Sequence, residues 1–276
     1  MIGTWDLSVA PNMHLIKSLV EHGANIEARG YENNTPMMIA LWSGWFHLLV
    51  KLLVNGGARV NDGGMIGTPL MHAAVLHQAE TVEICKILIT NGAEIHHVDH
   101  SDYPLLRRAV ECGNIHTMRL FVEQESDVHM TDQANRNLLH HAVTLGEPEG
   151  TRICEFLVEK GVDLHHRDCR QETPFLTAAR FGNIAIIKLL IWSGANINDV
   201  DDQGWNALHF TAEAMVEENR YRYRPASKTQ HYKDFIRVVQ FLLESSCLPS
   251  VRILSGQFEK VEIPREVQRA FLGIEE

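Results

Sequence analysis

The fold is decided by the stretch Gln171-Glu172-Thr173-Pro174-Phe175-Leu176-Thr177-Ala178-Ala179-Arg180-Phe181-Gly182-Asn183, because weaker copies of it recur along the chain. The copies begin 33, 36, 33, 36 and 33 residues apart, at Thr35, Thr68, Pro104, Asn137, Thr173 and Asn206. A period of this length is typical of a repeat protein. The spacing of 36 arises where the link between two apolar segments is three residues longer, and an insertion in a loop leaves a stack of repeats intact.

The local chemistry of each copy predicts a pair of helices. Thr173 is suited to cap a helix that begins at Pro174, where no amide donor is needed. A second half also recurs, since Lys188-Leu189-Leu190 and Gly194-Ala195-Asn196-Ile197-Asn198 match earlier segments. Ile186, Leu189 and Leu190 fall on one stripe of this second helix, and Gly194 allows the positive φ that ends it.

The positions that recur among these copies together resemble the ankyrin-repeat family. Its pattern is roughly T-P-L-H-x-A-A-x-x-G, an apolar helix, then G-A-x-V-N and a hairpin finger. The resemblance covers about residues 11–248 and implies an all-α solenoid of helix-turn-helix units with β-hairpin fingers, about six to seven repeats. Pro104-Leu105 and Glu125-Ser126 depart from the pattern. We expect an ankyrin-repeat domain over 1–248 and a capping segment over 249–276, with the opening helix of the first repeat near 2–10.

Composition and charge limit the classes of function. The chain has 276 residues, 45% of them hydrophobic, which is typical of a folded protein. Its net charge of −10 opposes binding to nucleic acid or an anionic membrane over a broad surface. Because no signal peptide or long apolar run is present and the five cysteines are isolated, we expect an intracellular protein, cytoplasmic or nuclear, without a disulfide framework.

The sixteen histidines are the residues that most suggest chemistry. His96, His97 and His100 with Asp99 could supply zinc ligands, but adjacent residues of a hairpin point in opposite directions. The histidine doublets also recur at one position of the repeat, which favours a role in turn structure. We expect no metal and no cofactor, and no catalytic motif is present, although an enzyme or metal-binding protein stays as an alternative.

One large insertion lies in the last repeat, at about residues 217–234. It carries an interleaved basic and aromatic cluster: Arg220, Tyr221, Arg222, Tyr223 and Arg224. We interpret it as a solvated loop, with contact to an anionic partner, including nucleic acid, as the alternative. The Ile263-Pro264-Arg265 stretch faintly resembles the tail of a SOCS box, so a ubiquitin-ligase substrate adaptor is a further alternative.

The resemblance also implies where a partner protein would bind, because the family uses hairpin tips and the exposed side of each first helix as a concave binding face. We predict a protein-protein interaction scaffold or adaptor with this face, since Trp, Tyr and Arg dominate interface energies. The candidate residues at the matching positions are Trp42, Tyr103, Glu111, Arg136, Thr144, Glu172, Arg180, Phe181 and Trp205.

Overall fold

The computed structural model describes residues 13–30, 33–42, 46–63, 67–76, 80–96, 104–124, 126–221 and 228–245, which form thirteen α-helices. Their bounds are α1 Met13–Glu21, α2 Pro36–Trp42, α3 Phe46–Asn55, α4 Pro69–Ala74, α5 Thr81–Thr90, α6 Leu105–Glu111, α7 Ile115–Glu123, α8 Leu138–Ala142, α9 Glu149–Glu159, α10 Pro174–Phe181, α11 Ile184–Trp192, α12 Ala207–Tyr221 and α13 Lys228–Glu244. These described residues contain no β-strand, and the predicted hairpins at 131–137, 167–173 and 200–206 are tight turns, the first with an isolated bridge between Thr131 and Asn137.

The helices belong to two compact units, Met1–Asp127 and Val128–Glu276. In the first unit α2 packs on α3, α4 on α5 and α6 on α7, and in the second α8 packs on α9, α10 on α11 and α12 on α13. In neighbouring pairs, first helices pack on first helices and second helices on second helices. In the first unit α4 packs on α2 and α5 on α3, and in the second α10 packs on α8 and α11 on α9. Each unit is therefore a two-layer stack of helix pairs, which confirms the predicted helix-turn-helix repeats.

The helices begin and end where the repeat pattern predicts. Thr173 caps α10 by accepting a hydrogen bond from the amide of Leu176 at 3.4 Å, with Pro174 in the first turn. Thr68 caps α4 in the same way through the amide of Met71. Gly194 follows α11 with φ of 103°, a conformation that only glycine adopts without strain.

The core lies between the two layers of each unit. Ala178 and Ala179 of α10 are completely buried, because small side chains let the helices approach closely. On α11, Ile186 and Leu190 are also completely buried, while Leu189 is half-buried. Since no single helix pair can bury such a stripe alone, each pair depends on its neighbours for stability.

The links between paired helices confirm the reason for the two spacings. α10 ends at Phe181 and α11 begins at Ile184, whereas α4 ends at Ala74 and α5 begins only at Thr81. α8 and α9 are separated like α4 and α5, by the six residues 143–148. The longer repeats therefore have a longer link between their two helices, and their first helices α4 and α8 are shorter than α10.

The last repeat differs from the prediction, because most of its insertion is helical. α12 continues to Tyr221 and α13 begins at Lys228, so the interpretation of 217–234 as a loop is wrong for 217–221 and 228–234. Helical structure covers the added residues 217–221 and 228–234, which include good helix formers such as Glu217 and Glu218. The predicted opening helix near 2–10 and the predicted cap over 249–276 lie outside the described residues.

Candidate partner-binding surface

The second unit carries three turns that join a second helix to the first helix of the next repeat, and we call these turns fingers. They span residues 131–137, 167–173 and 200–206. Each finger has an aspartate that accepts hydrogen bonds from the amides two and four residues further along. In the middle finger, Oδ1 of Asp168 accepts from the amides of Arg170 at 2.8 Å and Glu172 at 2.9 Å. Asp168 is buried, so its carboxylate is an internal brace of the turn.

The other two fingers repeat this arrangement. Asp132 accepts from the amides of Ala134 and Arg136, both at 2.9 Å. Asp201 accepts from the amides of Gln203 at 2.9 Å and Trp205 at 2.7 Å. The residue three after each aspartate has positive φ, at 57° for Asn135, 61° for Gln171 and 79° for Gly204. Because the aspartate holds the amide that precedes each first helix, Arg136, Glu172 and Trp205 are held at equivalent positions.

Backbone hydrogen bonds connect neighbouring fingers of the second unit. The amide of Cys169 donates to the carbonyl of Ala134 at 2.9 Å, and the amide of Asp202 donates to the carbonyl of Arg170 at 3.1 Å. The Asn135 side chain adds a bond to the carbonyl of Arg167 at 2.7 Å. The three fingers therefore form one continuous edge and not three independent loops.

An arginine at the base of a finger ties it to the next one. Nη1 of Arg167 donates to the carbonyls of Gln171 at 2.8 Å and Val200 at 2.7 Å, and Nη2 donates to Oδ1 of Asp199 at 3.0 Å. The arginine thus satisfies a carbonyl of its own finger, a carbonyl of the next finger and a carboxylate, which uses the fixed fork of donors that lysine lacks.

Two histidines of the second unit contact the backbone of a neighbouring turn. Nε2 of His140 lies 3.1 Å from the carbonyl oxygen of Glu172, and Nε2 of His166 lies 2.8 Å from the carbonyl oxygen of Asn135. Burial lowers the pKa of His140 to about 4, so this imidazole is neutral near pH 7. The described residues contain no group of three or more His, Cys, Asp or Glu side chains placed to hold a metal ion, while His97, Asp99 and His100 lie outside them.

Two cysteines occupy the buried apolar position that the repeat alignment predicts. Cys85 and Cys154 are free and completely buried. Burial raises the pKa of the Cys85 thiol to about 12 and raises that of Cys154 as well. Both are therefore unreactive thiols that fill the core.

The candidate residues on the fingers have different degrees of exposure. The Arg136 side chain is 43% exposed, and its Nε and Nη2 donate to Oδ2 of Asp132 at 2.9 and 2.8 Å. Burial alone would raise the pKa of Asp132, but hydrogen bonds from the Arg136 amide and guanidinium, together with charge, lower it overall. The Arg136 guanidinium is thus held in place while nearly half of the side chain stays accessible.

Glu172 and Trp205 lie in a cluster with the first helices α10 and α12. The Glu172 side chain is only 4% exposed, and its Oε1 accepts from Nη2 of Arg180 at 2.6 Å. The Arg180 guanidinium lies 4.5 Å from the centroid of the Phe210 ring. Trp205 stacks on His209 and meets Phe210 edge-on, with centroids 5.8 and 5.7 Å apart. The Glu172 carboxylate is therefore almost inaccessible to solvent and holds the Arg180 guanidinium in place.

The remaining candidates are less constrained. Phe181 is 49% exposed at the end of α10. Thr144 is exposed, and its hydroxyl donates to the carbonyl of His141 at 2.8 Å. In the first unit, Glu111 is half-buried and accepts from Nε of Arg107 at 2.8 Å. Tyr103, Arg222, Tyr223 and Arg224 lie outside the described residues, as do the side chains of Trp42, Arg220 and Tyr221.

Several residues of this surface were missed in the sequence. The aspartates Asp132, Asp168 and Asp201 stand five residues before Asn137, Thr173 and Asn206, so their column was available as a signal. Phe210 carried no signal, because its contact with Arg180 joins two repeats.

Comparison with known proteins agrees with the architecture. A family model described as "Ankyrin repeats (3 copies)" matches residues 7–99, 70–168 and 148–218. The chain is also similar to the solved human ASB11 ankyrin repeat domain, with a TM-score of 0.61 and 20% identity over 80% of this chain and 92% of that one. At this identity the likeness shows the fold alone.

Curated relatives are much longer proteins. An ankyrin repeat and KH domain-containing protein of Caenorhabditis briggsae is 26% identical over 66% of this chain, which spans 8% of that protein. Neurogenic locus notch homolog protein 1 of Xenopus tropicalis is 25% identical over 68% of this chain, which spans 6% of it. Human inversin is 26% identical over 59% of this chain, which spans 15% of it.

No helix in the described ranges combines the length and the apolar character needed to cross a bilayer. The repeat columns, the two-layer stacking of helix pairs and a family match over most of the chain lead to one conclusion. The chain belongs to the ankyrin-repeat family.

Proposed function

We propose that this chain binds a partner protein through the finger side of its second unit, which consists of the three fingers and the first helices α8, α10 and α12. Ankyrin repeats are in general protein-protein interaction modules, which supports the class of function. The proposal goes further in assigning the contacts to Arg136, Arg180, Phe181 and Trp205. The chain would act as a scaffold or adaptor, and not through catalysis.

The observation that carries the proposal is the cluster of arginine and aromatic side chains on a braced finger edge. Arg180 is held by the buried Glu172 carboxylate and by the Phe210 ring, and its side chain is still 33% exposed. Phe181, the next residue, is 49% exposed. Tryptophan, tyrosine and arginine supply most of the binding energy in interfaces, and residues held before binding lose less entropy on association.

The finger side offers a partner exposed apolar groups and guanidinium donors. Asp132, Asp168 and Asp201 accept hydrogen bonds within their own fingers and keep their charge. Arg136 and Arg170 are exposed, but each of their fingers carries as many carboxylates as arginines, so neither finger has a net positive charge. The free thiols Cys85, Cys112, Cys154 and Cys169 are consistent with a location inside the cell, in the cytoplasm or nucleus.

The test is affinity purification of the native partner with a triple variant, Arg136→Ala, Phe181→Ala and Trp205→Ala. We expect the wild type to retain the partner and the triple variant to lose it. Arg180 is left intact because its removal would strand the buried Glu172 carboxylate, whereas Asp132 keeps the amides of Ala134 and Arg136 as donors when the Arg136 side chain is removed. The matched control is Arg237→Ala on α13, whose side chain is 62% exposed and which should keep the partner. Retention of the partner by a folded triple variant would refute the assignment.

A further inference from the structure

The end of α11 carries an aromatic side chain that the repeat does not need. Trp192 is its last residue and is 78% exposed. Five other repeats have a polar residue at this position, two before the column of the glycine that follows the helix: Glu21, Asn55, Thr90, Glu123 and Glu159. Since a polar side chain serves the fold equally well here, the indole has no structural role in the repeat.

The helices on either side of α11 carry a glutamate at the position equivalent to this indole. α11 packs against α9 and against α13 in the second unit. The three helices share one burial pattern, with completely buried residues at Ile153, Cys154 and Leu157, at Ile186, Ile187 and Leu190, and at Val238, Val239 and Leu242. Two positions after the last buried residue of each triplet stand Glu159, Trp192 and Glu244. Glu159 and Glu244 are exposed, like Trp192.

This strip also lies where three helices end. α9 ends at Glu159, α11 at Trp192 and α13 at Glu244. The carboxyl end of a helix carries partial negative charge and favours a nearby cation. The carboxylates, the helix ends and the electron-rich indole face therefore all act in the same direction.

Cations on the same layer already use aromatic rings as partners. Nζ of Lys160 lies 5.3 Å from the centroid of the Phe156 ring, and Nζ of Lys188 lies 5.2 Å from that of Phe241. Both lysines thus have a ring partner within their own layer. A further cation would meet Trp192, which is the preferred ring type for this interaction.

We propose that the strip of Glu159, Trp192 and Glu244 binds a segment of a partner protein rich in lysine and arginine. One cation of the segment lies over the indole, and its neighbours lie against the two carboxylates. The net charge of −10 adds long-range attraction to such a segment. This surface is formed by second helices, so it is separate from the finger side and does not depend on the function proposed there.

The experiment measures binding of a labelled synthetic peptide of lysine, arginine and alanine to the full chain at low ionic strength, by fluorescence anisotropy. We expect Trp192→Ala to weaken binding about fivefold to tenfold, and Glu159→Gln with Glu244→Gln to weaken it by a similar factor. Binding by the wild type should also fall as salt is raised. All three positions are exposed, so thermal unfolding should confirm that the variants remain folded.

Two controls separate this strip from general attraction to an acidic chain. Leu48→Ala removes an exposed apolar side chain from α3, a second helix of the first unit, and it should leave peptide binding unchanged. A peptide with glutamate in place of the basic residues should not bind. The proposal is overturned if no basic peptide binds, if Trp192→Ala and Leu48→Ala weaken binding equally, or if Trp192→Ala abolishes self-association of the chain without affecting peptide binding.

Discussion

The two units have the same kind of helix pairs but hold their fingers differently. All three fingers of the second unit have a bracing aspartate, whereas the first two fingers of the first unit have Gly30 and Gly63 at this position. The turn at Gly30 closes through backbone bonds, from the amide of Gly30 to the carbonyl of Asn34 at 3.0 Å and from the amide of Asn33 to the carbonyl of Gly30 at 3.2 Å. Glycine offers no carboxylate to the amides of the turn.

The packing of the helix pairs and the hydrogen bonding within the fingers therefore depend on different residues. The helix pairs depend on the apolar columns, which both units share. The side-chain bonds within a finger depend on the aspartate of each second-unit turn, and Gly30 and Gly63 cannot supply them in the first unit. A braced finger loses less conformational entropy on binding, so we infer that the second unit is the better prepared for a partner.

Both units have an arginine that makes the same three contacts at the base of a finger. The difference between the units therefore lies in the turn of the finger and not in its base. Nη1 of Arg29 donates to the carbonyls of Asn33 at 3.0 Å and Gly63 at 2.7 Å, and Nη2 lies 2.9 Å from Oδ2 of Asp62. Arg167 makes the equivalent three contacts in the second unit. The base of a finger is therefore held alike in both units.

The largest expected effect is acid destabilisation of both units. Burial lowers the pKa of His72 to about 4 in the first unit and that of His140 to about 4 in the second. Since the unfolded chain takes up these protons near pH 6.5 and the folded chain only near pH 4, the free energy of unfolding falls as pH falls through this window. The loss is at most about 3 kcal/mol for each histidine.

Hydrogen exchange at amides of α4 and α8 would follow this loss in each unit separately. The variant His140→Gln should flatten the pH dependence of α8 while that of α4 remains. Equal flattening in both helices would show that the two histidines do not report on separate units.

The next largest effect is expected from removing the aspartate that accepts hydrogen bonds within a finger. Asp168→Ala removes an acceptor from two amides in a buried position, and we expect a loss of about 2 kcal/mol in the free energy of unfolding of the second unit. Asp202→Ala, at an exposed position of the next finger, is the matched control and should change stability little. Urea unfolding followed by circular dichroism would measure both, and a loss below about 0.5 kcal/mol for Asp168→Ala would contradict the role of the brace.

Replacing the arginine at the base of a finger should cause a smaller loss of stability, equal in the two units. Arg29→Gln and Arg167→Gln each remove a guanidinium that is about one-third exposed, so we expect a loss of about 1 kcal/mol in each case. Arg59→Gln, with a side chain 74% exposed, should have no measurable effect. A loss at Arg167 much larger than that at Arg29, measured by the same urea titration, would mean that the fingers of the second unit depend on their base as well as on their aspartates.

The smallest effect is a gain in stability. Gln171 has φ of 61°, a region that costs a residue with a Cβ about 1 kcal/mol, so Gln171→Gly should raise the free energy of unfolding by several tenths of a kcal/mol. Asn33 has the same φ of 61° in the first unit, but asparagine tolerates it better, so Asn33→Gly should gain less. Thermal unfolding would compare the two, and a drop in stability for Gln171→Gly would show that the turn needs its side chain.

Most of the helical architecture was predictable from the sequence because its signals are local and periodic. The cap at Thr173, the helix start at Pro174 and the positive φ of Gly194 each depend on a few adjacent residues, and the repeat multiplies that evidence. The insertion was less predictable. Its basic and aromatic composition suggested a loop, whereas α12 and α13 extend through most of it.

The candidate surface was predictable only as a set of positions. The repeat alignment identified Arg136, Glu172 and Trp205 as equivalent, and the fingers hold all three at the same place in the turn. It did not predict that Glu172 is buried beneath Arg180, because that contact depends on how the finger packs against α10.

The sequence by itself determined that this chain stacks helix pairs, where most of them begin and end, and which family they belong to. Those properties follow from residues close in the chain and from columns that recur at a fixed period. Only the tertiary structure decided how neighbouring fingers bond to one another, which candidate residues are accessible, and that Trp192 is exposed with Glu159 and Glu244 at the equivalent positions of the adjacent helices. These features depend on how the helices and fingers pack together, for which a single sequence has no local signal.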